Sequence, residues 1–291
     1  MTGLDRREFL QVGALAAGAG RLDSRNAGGP IAYGVNQNYY EQFTSAVPGT
    51  RAVRTYSDHI DVFPDQWPSA LPGAWTTLSI RPVPARLLSG KLDRQLRELL
   101  HSAPPHAELT CWHEAGPGNP LDYPHYITAD TMFRVHEYMM HLCQGTNVRY
   151  GSVICGPALT RKVWIGIRLH WYGFDLYFNS LRYGVTRTST IIDRAKVLKR
   201  LNNNLSVFRE LSGVPHPLVR ICETNSPYDS NRRHWFTLLS QWMAAHNGHR
   251  ILTYWNPNGS KYQHGLSGPW PPTDPVIDRL NRLQRDYGFK P

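Results

Sequence analysis

Residues 108–156 carry the pattern that decides the fold of this chain. The stretches ELTCWHE (Glu108–Glu114) and YGSVICG (Tyr150–Gly156) each contain an apolar run of strand length. Between them, Thr128–Gln144 places its apolar residues on one helical face: Met132, Val135, Met139 and Leu142. Strands covered on both faces show continuous apolar runs, and a helix that packs on a sheet shows one apolar stripe. We therefore predict a strand–helix–strand unit here.

The same alternation extends along the chain in both directions. Six further strands are predicted, at Ile31–Asn36, Ala52–Ser57, Trp75–Pro82, Phe174–Asn179, Leu218–Thr224 and Arg250–Asn256. Four further helices are predicted, at Lys91–Ser102, Ser189–Ser212 with Gly213 as its C-cap, Ser230–His246 and Asp274–Tyr287.

Eight strands that alternate with helices over roughly 260 residues match an α/β fold, a single (β/α)8 TIM barrel, for which about 250 residues is typical. A doubly wound open sheet is the competing architecture. No Gly-x-Gly-x-x-Gly follows an early strand, so the dinucleotide-binding form of that competitor lacks support.

The composition excludes several classes of protein. The chain has 291 residues, of which 41% are apolar, and no apolar run reaches the length of about eighteen residues that a membrane span needs. Disordered and collagen-like chains are excluded by this apolar content and by glycines without a period. The net charge of +10 favours anionic partners. The 9 Trp and 15 Tyr residues combine flat apolar faces with polar edges, which suits sugar ligands.

The first residues resemble an export signal. Asp5-Arg6-Arg7-Glu8-Phe9-Leu10 precedes the short run of small residues Val12–Gly20, as in a twin-arginine signal. We predict a signal peptide and short linker over residues 1–28 and one catalytic domain over residues 29–291. The protein would then be secreted or held in the cell envelope, with the twin-arginine export machinery as a partner of the precursor. The alternative is a surface helix that begins with two arginines.

Four cysteines are present, Cys111, Cys143, Cys155 and Cys222, and none forms a CxxC pair, so a zinc ribbon is not expected. Three of them lie in apolar strand-like runs, where a buried free thiol is an ordinary core residue. An oxidising compartment would also permit a disulfide, and the sequence leaves that open. The histidines show no ligand spacing, so we predict no catalytic metal, and we predict no cofactor.

Polar residues gather at the carboxyl ends of the predicted strands, where a barrel of this type places its chemistry. These positions hold Asn36, Arg54, Tyr56, Arg81, His113, Glu114, Tyr177, Glu223, Trp255 and Asn256. Glu114 and Glu223 stand out because each ends a strongly apolar stretch, on the fourth and seventh strands. Those strands lie nearly across the barrel, so the two carboxylates can face each other over a substrate.

Two facing carboxyl groups are what cleavage of a glycosidic bond needs. One protonates the leaving oxygen, and the other attacks the anomeric carbon or activates a water. Their environments must separate their pKa values, so that one group is protonated while the other is ionised. For a single Glu the alternative is a strand-end residue paired with Arg or Lys. The occurrence of both carboxylates among many aromatic residues favours the catalytic interpretation.

Four short segments resemble glycoside hydrolase family 26, the β-mannanase family of the retaining (β/α)8 clan. Trp112-His113-Glu114 resembles its His-Glu acid/base motif, whereas most other families of the clan carry Asn before this Glu. Glu223 stands where that family has its nucleophile. Phe174–Tyr177 resembles the sixth-strand segment whose Tyr hydrogen-bonds the nucleophile. Tyr254-Trp255 resembles the eighth-strand end whose Trp lies under the −1 sugar.

The resemblance implies that Glu114 is the general acid and base and that Glu223 is the nucleophile. Roles in substrate binding or in positioning are predicted for His113, Tyr177, Trp255, Trp112, Arg54, Arg81 and Asn36, with Trp270 as a further residue for stacking. Two segments depart from the family, Thr224-Asn225 after the nucleophile and Ala115–Pro120 after the His-Glu motif. These departures bear on the substrate more than on the reaction class.

The sequence therefore predicts an exported retaining glycosidase that cleaves a β-linked glycan, either β-mannan-like or an acidic cell-wall polymer. The alternative is a barrel that binds such a glycan without hydrolysing it. A nucleic-acid role is weaker, because Lys and Arg are dispersed apart from the cluster Arg194–Arg200, and an export signal takes the protein away from most nucleic acid. A carbohydrate substrate, no nucleic acid, no membrane span and a monomeric state are expected.

Overall fold

Eight parallel strands close into a barrel in the computed structural model of this protein. The strands in chain order are β1 (Ile31–Asn36), β2 (Ala52–Tyr56), β3 (Trp75–Ile80), β4 (Ala107–Cys111), β5 (Arg149–Ile154), β6 (Trp171–Asp175), β7 (Val219–Thr224) and β8 (Arg250–Tyr254). Each strand pairs with the next one, and β8 pairs with β1. The predicted (β/α)8 barrel is confirmed.

The structure describes residues 31–36, 40–57, 59–67, 72–112, 128–154, 166–176, 194–224, 229–246, 250–254 and 275–288. The predicted export signal and linker, residues 1–28, lie outside these ranges and stay a prediction. Within the described ranges, no helix is long and apolar enough to cross a lipid bilayer.

The described helices are α1 (Tyr40–Ala46), α2 (Pro84–Leu88), α3 (Asp93–His101), α4 (Ala129–Leu142), α5 (Arg194–Ser212), α6 (Asp229–Ala245) and α7 (Pro275–Tyr287). The last five confirm the predicted helices. The C-cap of α5 is also confirmed, because Gly213 has a φ of 67° and its N–H donates to the carbonyl of Arg209 at 3.0 Å. Helices α1 and α2 were not predicted, since neither is long enough to show a periodic apolar stripe.

The bounds of β4 and β6 differ most from the prediction. β6 begins at Trp171 instead of Phe174, and it contains Gly173, a residue that weakens a strand pattern in sequence. The fold needs glycine at two neighbouring places, because a Cβ on Gly151 would overlap the ring of Trp171 and a Cβ on Gly173 would overlap Sγ of Cys222. β4 ends at Cys111, so that Glu114 follows the strand instead of ending it.

The main apolar core lies between the outer face of the strands and the helices. A second, smaller cluster occupies the inside of the barrel near the amino ends of the strands, formed by Ala32, Ala52, Trp75 and Ile251. The barrel interior also contains charge. Glu108 on β4 pairs with Arg220 on β7, and Arg54 on β2 pairs with Asp175 on β6, all four being buried.

The three described cysteines, Cys111, Cys143 and Cys222, are free thiols and are buried. Burial raises the pKa of each thiol, that of Cys143 to about 12. Each is therefore a neutral core residue at ordinary pH, which agrees with the ordinary interpretation of a buried thiol. Cys155 lies outside the described residues.

Candidate active site

The chain leaves β4 through a strained residue. Trp112 has a φ of 48°, a left-handed conformation that an aromatic residue adopts rarely, and its N–H donates to the carbonyl of Ile80 at 2.9 Å. The side chain is 3% exposed and packs in the main apolar core, which holds the strained backbone in place. Strain of this kind concentrates at functional sites. It directs the chain into the segment that contains His113 and Glu114, which lies outside the described residues.

The burial of Trp112 corrects one prediction. We expected its indole to be a candidate for stacking on a sugar, but a ring that is almost entirely buried in the core presents no face to a ligand.

Strand β7 contains a bulge next to its carboxyl end. Phe174 pairs with Ile221, but the next residue of β6, Asp175, pairs with Glu223. On the other side, Ile221 pairs with Leu252, and Thr224 pairs with Tyr254. β7 thus has one residue more than either neighbour between these points. A bulge changes the direction of side chains and is common beside active sites.

Glu223 lies within this bulge, as the residue before the last one of β7. Its backbone is therefore at the carboxyl end of the seventh strand, as the sequence predicts. Its side chain is not among the described atoms, and neither is the residue Glu114, so their pairing stays a prediction.

A buried hydrogen-bond relay fixes the end of β7. The hydroxyl of Thr224 donates to the carbonyl of Leu176 at 2.7 Å, and it accepts the indole N–H of Trp235 from α6 at 2.8 Å. Thr224 and Trp235 are fully buried. The relay joins the carboxyl ends of β6 and β7 to a helix and holds Thr224, the residue that follows Glu223. Thr224, which stood out in sequence only as a departure from family 26, has a structural role here.

Arg54 crosses the barrel interior toward β6. Its Nη1 donates to Oδ1 of Asp175 at 3.3 Å, and its Nη2 lies 3.5 Å from Oγ of Ser79 on β3. The guanidinium also lies 4.7 Å from the centre of the Tyr56 ring. Arg54 is 1% exposed, so it lies below the surface that a sugar can touch. The expectation that Arg54 contacts substrate is therefore not supported, and a role in supporting its neighbours fits better.

Asp175 was missed by the sequence reasoning. It stands in the FDLY segment, where attention fell on Tyr177, and an isolated Asp at a strand end carries no distinctive signal. Its carboxylate is buried, and its Cα is paired with that of Glu223. Cys222 on β7 lies close enough to Arg54 and Asp175 to feel both charges. It remains a neutral thiol because burial raises its pKa.

The loop after β2 forms part of the rim at the carboxyl ends of the strands. Asp61 has a φ of 58°; its carboxylate accepts the N–H of Val83 at 2.6 Å and pairs with Arg86 at 2.8 Å. These contacts attach the loop to the start of α2. The loop presents Ile60 and Val62 to solvent, at 54% and 53% exposure. A rim of this kind offers apolar contact beside the mouth of the barrel.

Other predicted site residues are located only in part. Asn36 is the last residue of β1 and pairs with Arg54 in the strand register. Arg81 follows β3 directly, is partly exposed, and its carbonyl accepts the N–H of Asp61 at 3.0 Å. His113, Tyr177, Trp255 and Trp270 lie outside the described residues. Among the residues that are described, no group of three His, Cys, Asp or Glu side chains could hold a metal ion.

Comparison with known proteins identifies the architecture. No protein-family model matches the chain, and no curated protein matches it. Solved structures do match. A family 26 β-mannanase from Bacteroides ovatus has a TM-score of 0.58 at 12% identity, with 88% of each chain covered.

Two further solved structures match with lower TM-scores. A broad-specificity family 5 endoglucanase from Clostridium longisporum has a TM-score of 0.55 at 12% identity, with 86% of this chain and 85% of that chain covered. A Bacillus subtilis mannanase has a TM-score of 0.51 at 8% identity, with 91% and 88% covered. At such identities the likeness concerns the fold, and the chain therefore shares the barrel fold of glycoside hydrolases of families 5 and 26.

Proposed function

We propose that this protein is a glycosidase that cleaves a β-linked glycan, with Glu114 and Glu223 as its catalytic pair. The observation that carries the proposal is the bulge of β7. The bulge changes the local direction of the chain at Glu223, the one glutamate of β7. It lies at the end of the barrel where enzymes of this fold have their sites. The strained Trp112 at the end of β4, two residues before Glu114, supports the same location.

The proposed reaction is a double displacement. The carboxylate of Glu223 attacks the anomeric carbon and forms a glycosyl ester, while the carboxyl proton of Glu114 passes to the leaving glycosidic oxygen. Glu114, now ionised, takes a proton from a water, and this water displaces Glu223 from the same carbon. After the second step both carboxyl groups have returned to their starting protonation states, and the sugar keeps its anomeric configuration. The double displacement requires that Glu223 is ionised while Glu114 carries its proton, so the environments of the two groups must separate their pKa values.

We further propose that the protein acts outside the cytoplasm. The basis is the Arg6-Arg7-x-Phe9-Leu10 pattern at the amino end, followed by a short run of small residues. The test is expression of the full chain, either intact or carrying Arg6→Lys together with Arg7→Lys, in a host with and without twin-arginine export. Accumulation outside the cytoplasm that requires both the arginines and the export system is the expected result, and export that needs neither contradicts it.

For the substrate we favour an acidic cell-wall glycan over neutral β-mannan. Helix α5 follows β6, so its amino end lies on the side of the barrel at which the strands end. The described amino-terminal part of α5 carries Arg194, Lys196 and Lys199, all exposed, and such cations attract an anionic ligand. The net charge of +10 has the same sign.

The deciding experiment is a digest of a panel of neutral and acidic β-linked glycans. The wild-type protein is compared with Glu223→Ala and Glu114→Gln, and the released products are followed by chromatography. We expect products from wild type only, and retention of configuration when the first product is observed by NMR. For Glu223→Ala, added azide should restore turnover and give a glycosyl azide of inverted configuration.

The same panel tests the alternative of a binding barrel. Release of no sugar from any glycan, together with specific binding of one of them by the wild-type protein, would support a non-catalytic glycan-binding role. Preference for neutral mannan over acidic polymers would contradict only the proposed substrate.

A further inference from the structure

Arg149, the first residue of β5, carries a guanidinium that its surroundings leave unused. The side chain is only partly buried, and among the described residues its guanidinium takes part in no hydrogen bond or ion pair. Nη1 is enclosed by the protein, so solvent does not replace the missing acceptor there. A buried donor without an acceptor costs free energy. The fold therefore holds an arginine whose donors remain available to a ligand.

The carboxylate that acts on Arg149 is already bound to another arginine. Glu108 accepts from Nε and Nη2 of Arg220, the latter at 2.6 Å, and the hydroxyl of Thr77 lies 3.4 Å from its Oε2. Burial lowers the pKa of Arg149, the charge of Glu108 opposes this effect, and the charge of Arg220 adds to it. Two cations thus share one carboxylate, and the amino end of the barrel keeps an excess of positive charge.

A histidine and a further arginine lie near Arg149. His170 stands directly before β6, and its Nδ1 accepts the N–H of Tyr150 at 3.0 Å, so the neutral ring carries its proton on Nε2. Burial lowers the pKa of His170, and the charges of Arg149 and Arg168 lower it further, so both arginines lie close to the ring. Arg168 is exposed. The ring of His170 thus adds an N–H donor beside two guanidiniums.

In the part of the chain that the structure describes, the residues directly before β2 to β7 include no Asp or Glu. These segments are residues 47–51, 72–74, 102–106, 143–148, 166–170 and 213–218. Their basic residues are Arg51, His106, Arg168, His170 and His216. Cations that collect without acidic neighbours produce a positive potential, which concentrates anions. This potential attracts an anion to the amino face of the barrel, where Arg149 lies.

We propose that the amino face of the barrel holds a site for a small oxyanion, with the guanidinium of Arg149 as its main donor and Arg168 and Nε2–H of His170 beside it. A planar guanidinium presents paired N–H donors that match two oxygens of a phosphate or a carboxylate. The bound anion is a second counter-charge beside Glu108. The site lies at the opposite end of the barrel from the proposed catalytic residues, so the inference goes beyond glycan cleavage and does not depend on it.

Binding is tested on the whole protein with inorganic phosphate and with glucuronate, against glucose and sodium chloride at matched ionic strength. Arginine side-chain ¹⁵N NMR follows the Nε–H signal of Arg149, which is assigned from its loss in Arg149→Met. We expect a saturable shift of this signal with the oxyanions only. At about 100-fold excess over Kd, the melting temperature should rise by at least about 5 °C. Tighter binding of phosphate indicates a free anion as the ligand, and tighter binding of glucuronate indicates the acidic group of a glycan.

Arg149→Met removes the cation and leaves the pair of Glu108 and Arg220 in place. Without added anion its melting temperature should equal or exceed that of wild type, because an uncompensated charge is removed. Its affinity for phosphate should fall by about 10- to 100-fold. Lys196→Gln with Lys199→Gln is the matched control, since it removes two exposed cations of α5 at the carboxyl end of the barrel. This double variant should bind phosphate as wild type does.

Three results overturn the proposal: no saturable shift of the Arg149 signal with either oxyanion, equal phosphate binding by wild type and Arg149→Met, or binding that is lost only in the α5 double variant. If Arg149→Met does not fold, Arg149→Lys keeps the charge without the planar fork. Phosphate binding that is several-fold weaker in Arg149→Lys supports the site, and unaltered binding overturns it. Because these measurements follow binding and not turnover, a failure of wild type to release sugar contradicts the proposed function alone.

Discussion

Two buried ion pairs cross the barrel, and they differ in their position along the strands. Near the amino ends of the strands, Arg220 donates to Glu108 through Nε at 3.1 Å to both oxygens and through Nη2 at 2.6 Å. Near the carboxyl ends, Nη1 of Arg54 donates to Oδ1 of Asp175 at 3.3 Å. The deeper pair has the forked geometry that gives the strongest ion pairs.

The surroundings of the two pairs differ as well. Thr77 lies 3.4 Å from Glu108, and the guanidiniums of Arg220 and Arg149 both lie 5.3 Å from the ring of Trp75. Burial lowers the pKa of Arg149, while the charge of Glu108 opposes that effect. Glu108 is thus the counter-charge for two cations in a closed floor. The upper pair includes Asp175, whose Cα pairs with that of Glu223 across the bulge of β7. The deeper pair belongs to the closed floor of the barrel, and the upper pair lies at the end where the site is proposed.

The sharpest contrast between the two ends should come from the glutamates proposed for catalysis. We expect Glu114→Gln to lower turnover by about 1,000-fold or more, because the leaving oxygen then lacks its proton donor, while the melting temperature stays nearly unchanged. Turnover of an unactivated glycan, whose leaving sugar needs the proton, and thermal unfolding are the measurements. A large loss of stability with intact turnover would assign Glu114 to the fold instead.

At the amino ends of the strands, a substitution should lower stability and leave turnover nearly unchanged. Glu108→Gln removes the carboxylate that pairs with the buried Arg220 and faces the partly buried Arg149, which should cost about 3–5 kcal/mol of unfolding free energy. Activity per folded molecule should change little. Denaturant unfolding and an active-site titration measure the two quantities. If activity fell while stability held, the division between the two ends would be wrong.

The relay at the end of β7 should show a smaller, mixed effect. Thr224→Val keeps the shape but leaves the indole N–H of Trp235 and the carbonyl of Leu176 without their bonds, at a cost of about 2 kcal/mol. Because Glu223 is the preceding residue, kcat should fall more than KM rises. Ser240→Ala, which removes the buried hydrogen bond from Tyr33 on β1, is the control: similar stability loss, unaltered kcat.

The smallest effect expected is on substrate charge. Lys196→Glu with Lys199→Glu should reduce kcat/KM on an acidic glycan several-fold at low salt, and the difference should vanish at high salt because surface charges are screened. Arg282→Glu with Arg285→Glu changes the same number of exposed charges on α7 and is the control. Equal effects of the two double variants would mean that net charge, and not the α5 cations, guides the substrate.

Much of the architecture could be predicted because local patterns determine it. Continuous apolar stretches such as those around Cys111 and Ile221, each followed by a helix with a single apolar stripe, admit few arrangements other than a closed parallel sheet. The start of β6 could not be predicted, because Gly173 is a weak strand former. The close approach of Cys222 to Gly173, which explains the glycine, is visible only in the structure. The short helices α1 and α2 likewise carry no periodic signal.

The candidate site divides in the same way. Residue type and place in the strand order singled out Glu223, and its position at the end of β7 is as expected. Asp175 could not be recognised, since its importance comes from an arginine far away in the chain. The burial of Arg54 and Trp112 was equally invisible, because it depends on contacts with residues that are distant in the chain.

The amino-acid sequence by itself determined the order of elements, the parallel barrel and the ends of strands at which polar groups collect. Hydrophobic periodicity is local, and burial of apolar surface dominates the choice of fold. Only the tertiary structure decided which charges meet inside the barrel, where β7 gains its extra residue, and which of the predicted side chains are enclosed. Those features arise from contacts between residues distant in the chain, whose geometry no local pattern records.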